Sequence, residues 1–579
     1  MARRPALSPL LCALAAAFAL TACGGGGGGD DGTPPVDPAR SITGTAAAGA
    51  PIVGNVTVRD SLGAQKTVLI EADGSYTVDV SGMTGPFQFR AVGKVGGRDV
   101  ALSSVAMGDD VGKTINITPF TDLIVANVAG RAVDGFLAGE EFASFTTAEL
   151  NAARDTLTQR LLPILQEFGV DASFDLLRSS FSADRTKFDA VMDVVRVSVD
   201  PATNQAVIRD LINQQQIVDD LASQEDVDVI PAPPAGSLSG AVTDLQQVDA
   251  LLAAMTALFA TQVPAEDNAQ LLALLHENFL ENGLTLAEFL TPDEMPEQGS
   301  KLHSPKIVER AANGDLLVAW EYVGPDGAEA VEWYFRKDSA GKWRILGNQR
   351  VAGVEIASIN HRYVANPTTI TYSRHLELWV ESARLDIQAA RLTGPGLATA
   401  VELRRSADEP DANFDVQGLS HGNGGSWIPE CSETVAAPCV DFSEVGSDAA
   451  YSVQFVDGAG QPVGAAVALT LQRTPVSNAE ASANSSKWFA SYTVSPSAAS
   501  LADGVSIVYN WTAPSDSAYR IENLGFSSQS HWFSQDVEAG QTSATVGTWQ
   551  GAAPSGAPDT WIHVVGPYER RFVSAQPMR

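Results

Sequence analysis

The 579-residue sequence predicts a multidomain α+β protein. Three observations carry that expectation. The length corresponds to about four domains at roughly 150 residues each. Hydrophobic residues make up 45% of the chain, an ordinary globular share, so each domain can bury a core. The spacing of apolar residues also changes along the chain. Two-residue alternation, as at Tyr76, Val78 and Val80, gives way to helical spacing, as at Leu157, Leu161, Ile164 and Leu165, and then returns.

Charge narrows the partners. Lys and Arg number 37 against 69 Asp and Glu, a formal charge of −32. A surface that acidic repels phosphate backbones, so no nucleic acid is expected, and it repels anionic head groups equally. The acids are dispersed rather than gathered in blocks, which suits solubility.

Residues 1–22 open with Arg3 and Arg4 and continue into an apolar run from Leu10 to Leu20. At 1.5 Å per residue that run is too short to cross a bilayer, so it reads as a signal peptide. Leu20-Thr21-Ala22-Cys23 resembles the lipobox of bacterial lipoproteins. The resemblance implies a diacylglycerol on the Cys23 sulfur, cleavage before it and an acyl group on the new amino terminus. The partner so implied is the lipid bilayer, held stably because several acyl chains act together. Gly24 follows, not the Asp that in this family favours inner-membrane retention, so the implied address is the outer membrane, on its periplasmic face or the cell surface. Residues 23–40, rich in Gly, Pro and Asp, form a flexible tether with a reach of roughly 20 to 25 Å.

Residues 41–117 show short alternating strands around Val56 and Val58, Tyr76 to Val80, and Phe87 and Phe89. Asp60-Ser61-Leu62-Gly63 and Asp73-Gly74 supply turn residues. With Gly44, Ala50-Pro51 and Ala72-Asp73-Gly74-Ser75-Tyr76, this layout resembles the carboxypeptidase regulatory-like (transthyretin-like) β-sandwich. The resemblance implies a spacer or binding module without catalytic residues. Gly108 to Thr114 superficially matches a phosphate loop, but it has three residues between its glycines where that loop has four, and two are acidic. It reads as a turn.

A mainly helical domain is expected over 118–229. Thr118 can cap and Pro119 suits the first helical position, Thr146 and Glu149 make a capping box, and Pro163 predicts a kink. Lys187 to Val194 reads as a helix leading into a hairpin of Val195 to Val199 against Ala206 to Ile208. A stiff Pro-rich linker over 230–240 follows.

Residues 241–352 read as helices around Leu245 to Phe259 and Leu272 to Phe279, a short helix capped by Thr285 and Glu288, and four strands near 306–310, 316–322, 329–337 and 342–349. Ending in Trp333-Tyr334-Phe335-Arg336-Lys337-Asp338 and Gly341-Lys342-Trp343-Arg344-Ile345, this order resembles the nuclear-transport-factor-two-like (SnoaL-like) α+β cone. The resemblance implies a curved sheet around a helix, with an apolar cavity that some members use for isomerisation or dehydration through a carboxylate and a histidine. Asp293 and His303 are the nearby acid and base, and Trp320, Tyr322 and Trp333 the ligand-contacting rings. Those rings equally suit a filled core, and nothing in the spacing brings Asp293 to His303.

Two immunoglobulin-like β-sandwiches are expected over 353–475 and 476–579, from alternation such as Leu376 to Val380 and turns such as Asp457-Gly458. Cys431 and Cys439 lie close together in a Pro-containing segment and read as a disulfide in an oxidising compartment. Trp488, Trp511, Trp532, Trp549 and Trp561 crowd the last 92 residues. Trp511 and Trp532 are candidates to stack on a glycan, with burial in the sandwich as the alternative. No zincin motif, calcium loop or dinucleotide fingerprint occurs, and the seven histidines lack metal-ligand spacing, so no cofactor or metal is expected. Ser420 to Ser426 reads as a surface loop.

The function expected is a non-catalytic envelope lipoprotein, a multi-module binding or scaffold protein. One alternative is a small-molecule enzyme using the cone over 241–352. The other is a glycan-binding adhesin, so the partner is a glycan or an envelope protein.

Overall fold

The computed structural model describes residues 40–579, apart from 134–136, 138, 201–202, 222, 224–227, 326, 383, 407–413, 420–425, 433–437, 517, 529–531, 538–539, 553, 555 and 568–569. Cys23 and the tether therefore lie outside the described residues. What is described is a β-rich α+β protein of several separate sheets.

The amino-terminal unit packs a two-stranded sheet, Ser41–Thr45 with Ser75–Asp79, against a four-stranded one in the order Gln65–Leu69, Val53–Asp60, Phe87–Val95 and Arg98–Ala106. Alternation puts Val56, Val58, Tyr76, Val78 and Phe89 inside. The segment resembling a phosphate loop is a short 3-10 turn, Gly108–Asp110, and Asp110 accepts from Arg178 Nε at 2.9 Å.

Helices then start where capping residues place them. Thr118 accepts from the Thr121 amide ahead of Pro119–Ala129, and Thr146 from the Glu149 amide ahead of Thr147–Glu167, with Pro163 inside that helix. Lys187–Val194 runs into the hairpin Val195–Asp200 and Gln205–Asp210, to which a third strand, Gln216–Asp220, is added. Asp219 on that strand meets Arg160 at 2.5 Å, a buried ion pair between strand and helix.

The helix Ser237–Phe259 packs on the first strand of a four-stranded meander, Lys301–Arg310, Leu316–Gly324, Gly327–Lys337 and Trp343–Gly347. Two features differ from the expectation. The predicted helix over Leu272 to Phe279 is only Ala269–Leu272, because the following backbone pairs with the meander's edge: the Ile345 amide donates to Leu274 O at 2.9 Å and the His276 amide to Ile345 O at 2.8 Å. Tertiary pairing overrides the helical spacing there. The linker also does not divide two cores. Ile230 is fully buried, its amide bonds to Arg160 O, and one continuous core holds both Leu161 and Leu252.

The carboxy-terminal half has two cores but not two independent sandwiches. A seven-stranded sheet runs Trp427–Pro429, Thr369–Glu381, Gly353–Asn366, Arg570–Pro577, Asp559–Val565, Arg520–Ser527 and Trp532–Asp536. Its inner face covers both cores. Val354, Ile356, Leu376 and Leu378 pack with Leu392, Leu403 and Phe455 of a five-stranded sheet, while Leu524, Ile562 and Phe572 pack with Tyr509 and Trp511 of a three-stranded one. The boundary at 475 fails to separate the sheets because Gly353–Asn366 pairs in parallel with Arg570–Pro577.

Cys431 and Cys439 are joined, with Cα atoms 4.9 Å apart. So short a loop restricts the unfolded chain by only about 2 to 3 kcal/mol. Replacing both cysteines by serine is expected to lower the unfolding free energy of the 353–475 core by that amount, read as a lower denaturant midpoint at unchanged slope. An unchanged midpoint would show that the bridge adds nothing.

Candidate functional site

The rings nominated between 241 and 352 fill an interior. Trp320 and Trp333 lie with centroids 4.6 Å apart, and Phe279 and Phe289 meet Trp333 edge-on at 6.1 and 6.4 Å. Both tryptophans are buried, whereas Tyr322 is half-buried with its hydroxyl 2.9 Å from Ser300 Oγ. His303 turns to Ser304 Oγ, 2.9 Å from its Nδ1, and to Glu321 at 3.7 Å. Asp293 sits in the exposed turn before the strand Lys301–Arg310 that bears His303. The buried acids of this unit among the described residues, Asp244, Glu281 and Asp315, are ones the sequence did not single out. Glu281 accepts from the Asn348 amide at 2.8 Å, and burial raises its carboxyl to about 7.

The carboxy-terminal rings are likewise mostly core. Trp488, Trp511 and Trp549 are buried, with Trp511 donating to Gln541 O at 3.0 Å. Trp511 is therefore unavailable to stack on a ligand, a correction to that expectation. Trp532 is described only through its backbone, paired with Ser527, and the loop 420–425 lies outside the described residues.

A different set of side chains converges on the outward face of the seven-stranded sheet. Residues opposite one another in register share a face, and so do residues two apart along a strand. His361 is opposite Ser373 on one side and Val573 on the other, and Val573 is opposite His563. Tyr363, His375, Arg571 and Trp561 lie two residues along from members of that row, Glu377 lies two beyond His375, and Trp427 is opposite Glu377. The alternate residues are those that face the cores.

The groups on this face touch. The Trp427 ring lies 5.5 Å from His361 and 5.2 Å from His375, and His361 lies 6.3 Å from Tyr363. Trp427 Nε1 donates to Glu377 Oε1 at 2.9 Å, and Arg571 Nη1 donates to Glu377 Oε2 at 2.6 Å. Ser373 Oγ shares a hydrogen bond with His375 Nε2 at 2.9 Å. At Gly525 an added Cβ would stand 2.7 Å from the Trp561 ring, so glycine lets that ring lie across the neighbouring strand. Burial holds His361 and His563 at about 4, and both are therefore neutral imidazoles at neutral pH. The arrangement offers ring surfaces edged by neutral hydrogen-bonding groups, with its central charges paired internally.

Motif reading missed this cluster because five strands spread between residues 353 and 577 build it. The available signal was the alternation itself. In Ser373 to Val380 the residues facing away from Leu376, Leu378 and Val380 are Ser373, His375, Glu377 and Trp379.

The fold and this face define a β-rich multidomain protein with an outward aromatic and histidine surface. No protein family and no curated protein matches the chain. Among solved structures it is similar to an adhesin described as "Ca2+-stabilized adhesin helps an Antarctic bacterium reach out and bind ice", at 9% identity and a TM-score of 0.13, over 93% of this chain and 97% of that one. It is also similar to the YadV chaperone, at 9% identity and a TM-score of 0.12, over 39% of this chain and 98% of that one. Protocadherin gamma B7 gives 10% identity and a TM-score of 0.08, over 48% and 65%. At TM-scores this low the likenesses define no common fold.

Proposed function

We propose that the protein is a non-catalytic envelope lipoprotein, tethered to the outer membrane through acylated Cys23, that binds a ligand or envelope partner through the outward face of its seven-stranded sheet. In this reading residues 41–117 are a carboxypeptidase regulatory-like spacer and 241–352 a SnoaL-like cone with a structural role. One observation carries the binding role: Trp427, His361, His375 and Tyr363 gather on the side of the sheet away from both cores. The tether rests on Leu20-Thr21-Ala22-Cys23 and the glycine-rich stretch after it. Among the described residues no helix is long and apolar enough to cross a membrane. The packed rings around Trp333 lend no support to an isomerase or dehydratase site in that unit.

Cell fractionation of the wild type beside Cys23→Ala tests the tether. The wild type is expected in the outer-membrane fraction and the variant in the soluble fraction. A variant that stays with the membrane refutes acyl anchoring.

A further inference from the structure

We infer that the outward face around Trp427 is a binding site for a neutral oligosaccharide. This deepens the binding role proposed above and rests on it. Ring-bearing ligands of either charge would need an opposing charge at the centre of the face. The central carboxylate, Glu377, is already held between Arg571 at 2.6 Å and Trp427 Nε1 at 2.9 Å. Glu355, 3.7 Å from Arg571 and largely exposed, adds a second acid to that cation at the rim. An anion would therefore have to displace carboxylates from Arg571 inside a protein of net charge −32. A cation would meet a carboxylate whose two oxygens are already occupied, and the neutral imidazoles of His361 and His563 add no charge of either sign.

What remains is the chemistry a pyranose uses. Its apolar C–H face stacks on an aromatic ring, and its hydroxyls both donate to and accept from neutral polar edges. Trp427, Tyr363 and Trp561 supply half-buried rings, and His361, His375 and Ser373 supply the edges. The strands bearing Trp427 and Trp561 are four spacings apart in the sheet, about 19 Å at 4.8 Å per strand. One sugar cannot reach across that distance, whereas a short chain can. The rings of Trp427, His361, His375 and Tyr363 are held against each other, so little ordering opposes binding there.

Affinity electrophoresis of the soluble Cys23→Ala protein through gels containing dextran, mannan, hydroxyethylcellulose or alginate tests the inference. Retardation by at least one neutral polymer is expected, weakened about tenfold or more by Trp427→Ala and by Tyr363→Ala, each with a melting temperature near that of the parent. Migration unaffected by all three neutral polymers overturns the inference, as does retardation by alginate alone. Retardation that survives both ring substitutions in folded variants overturns it too, and places the contact elsewhere. Capture of an envelope protein that both variants abolish, without any sugar effect, would keep the binding face and overturn its ligand. The tether is read separately by fractionation, so a failure here leaves it standing.

Discussion

Asp193→Asn is expected to stabilise the protein strongly at pH 8 and hardly at all at pH 4. Asp193 lies at the end of Lys187–Val194 and is fully buried. Among the described residues neither carboxylate oxygen has a hydrogen-bond partner, and Oδ1 stands 2.7 Å from where a Cβ on Gly49 would be, so the amino-terminal sandwich closes directly over it. Gly49 has a φ of +81°, which keeps that approach open at no steric cost. Asp189, one turn earlier, is buried too, and Lys306 on Lys301–Arg310 approaches from the third side, its Nζ donating to Ala48 O at 2.9 Å. Desolvation raises Asp193 to about 8 and Asp189 to about 6, and lowers Lys306 to about 8.

The pH dependence follows from linkage. A carboxyl raised above its unfolded value of 3.8 favours the fold fully below that value, and the benefit is lost as pH rises to about 8. Lys306, lowered from 10.5, opposes the fold below about 8 and stops doing so as pH climbs to 10.5. These groups together make the junction weakest near pH 8. Asparagine keeps the shape of the protonated acid and never ionises. At roughly 1.4 kcal/mol for each pKa unit, the gain at pH 8 is on the order of several kcal/mol. Melting curves of wild type and variant at pH 4, 6 and 8 give the difference at each pH, which removes the contribution of every other titrating group. An equal difference at all three values would show that Asp193 is not held protonated in the fold.

This junction also shows where sequence reasoning stops. Thr118, Thr146 and Thr285 were legible as caps because a cap is settled within four residues, and the hairpin after Val195 was legible from its alternation. Cys431 and Cys439 were legible because the loop between them is short. Asp193 carries no local signal of its burial, which depends on Gly49 and Lys306, 144 and 113 residues away by their numbers. The binding face has the same character. His361 meets His563 only through Val573, by a parallel pairing that alternation cannot indicate, because period two gives the face of a residue but not its neighbour. The carboxy-terminal tryptophans were visible as a group, yet their number alone could not separate stacking rings from core.

Trp333→Ala is expected to destabilise by about 3 to 5 kcal/mol, the usual cost of emptying a buried tryptophan site. Trp333 is 1% exposed and wedged among Trp320, Phe279 and Phe289, so the cavity left behind cannot collapse without moving several rings. The same core continues through Leu252 to Leu161, so the loss should reach beyond the meander. Hydrogen exchange is expected to quicken along Thr147–Glu167 as well as in Leu316–Gly324, and the denaturant midpoint to fall as a single transition. Tyr322→Phe, which removes only the hydroxyl paired with Ser300, should cost about 0.5 to 1.5 kcal/mol. Neither change touches the outward face, so sugar retardation should persist in both proteins under conditions where they are folded. If Trp333→Ala left the midpoint unchanged, the ring would be lining an open cavity, and the enzyme reading of residues 241–352 would regain the site that the packed interior takes from it.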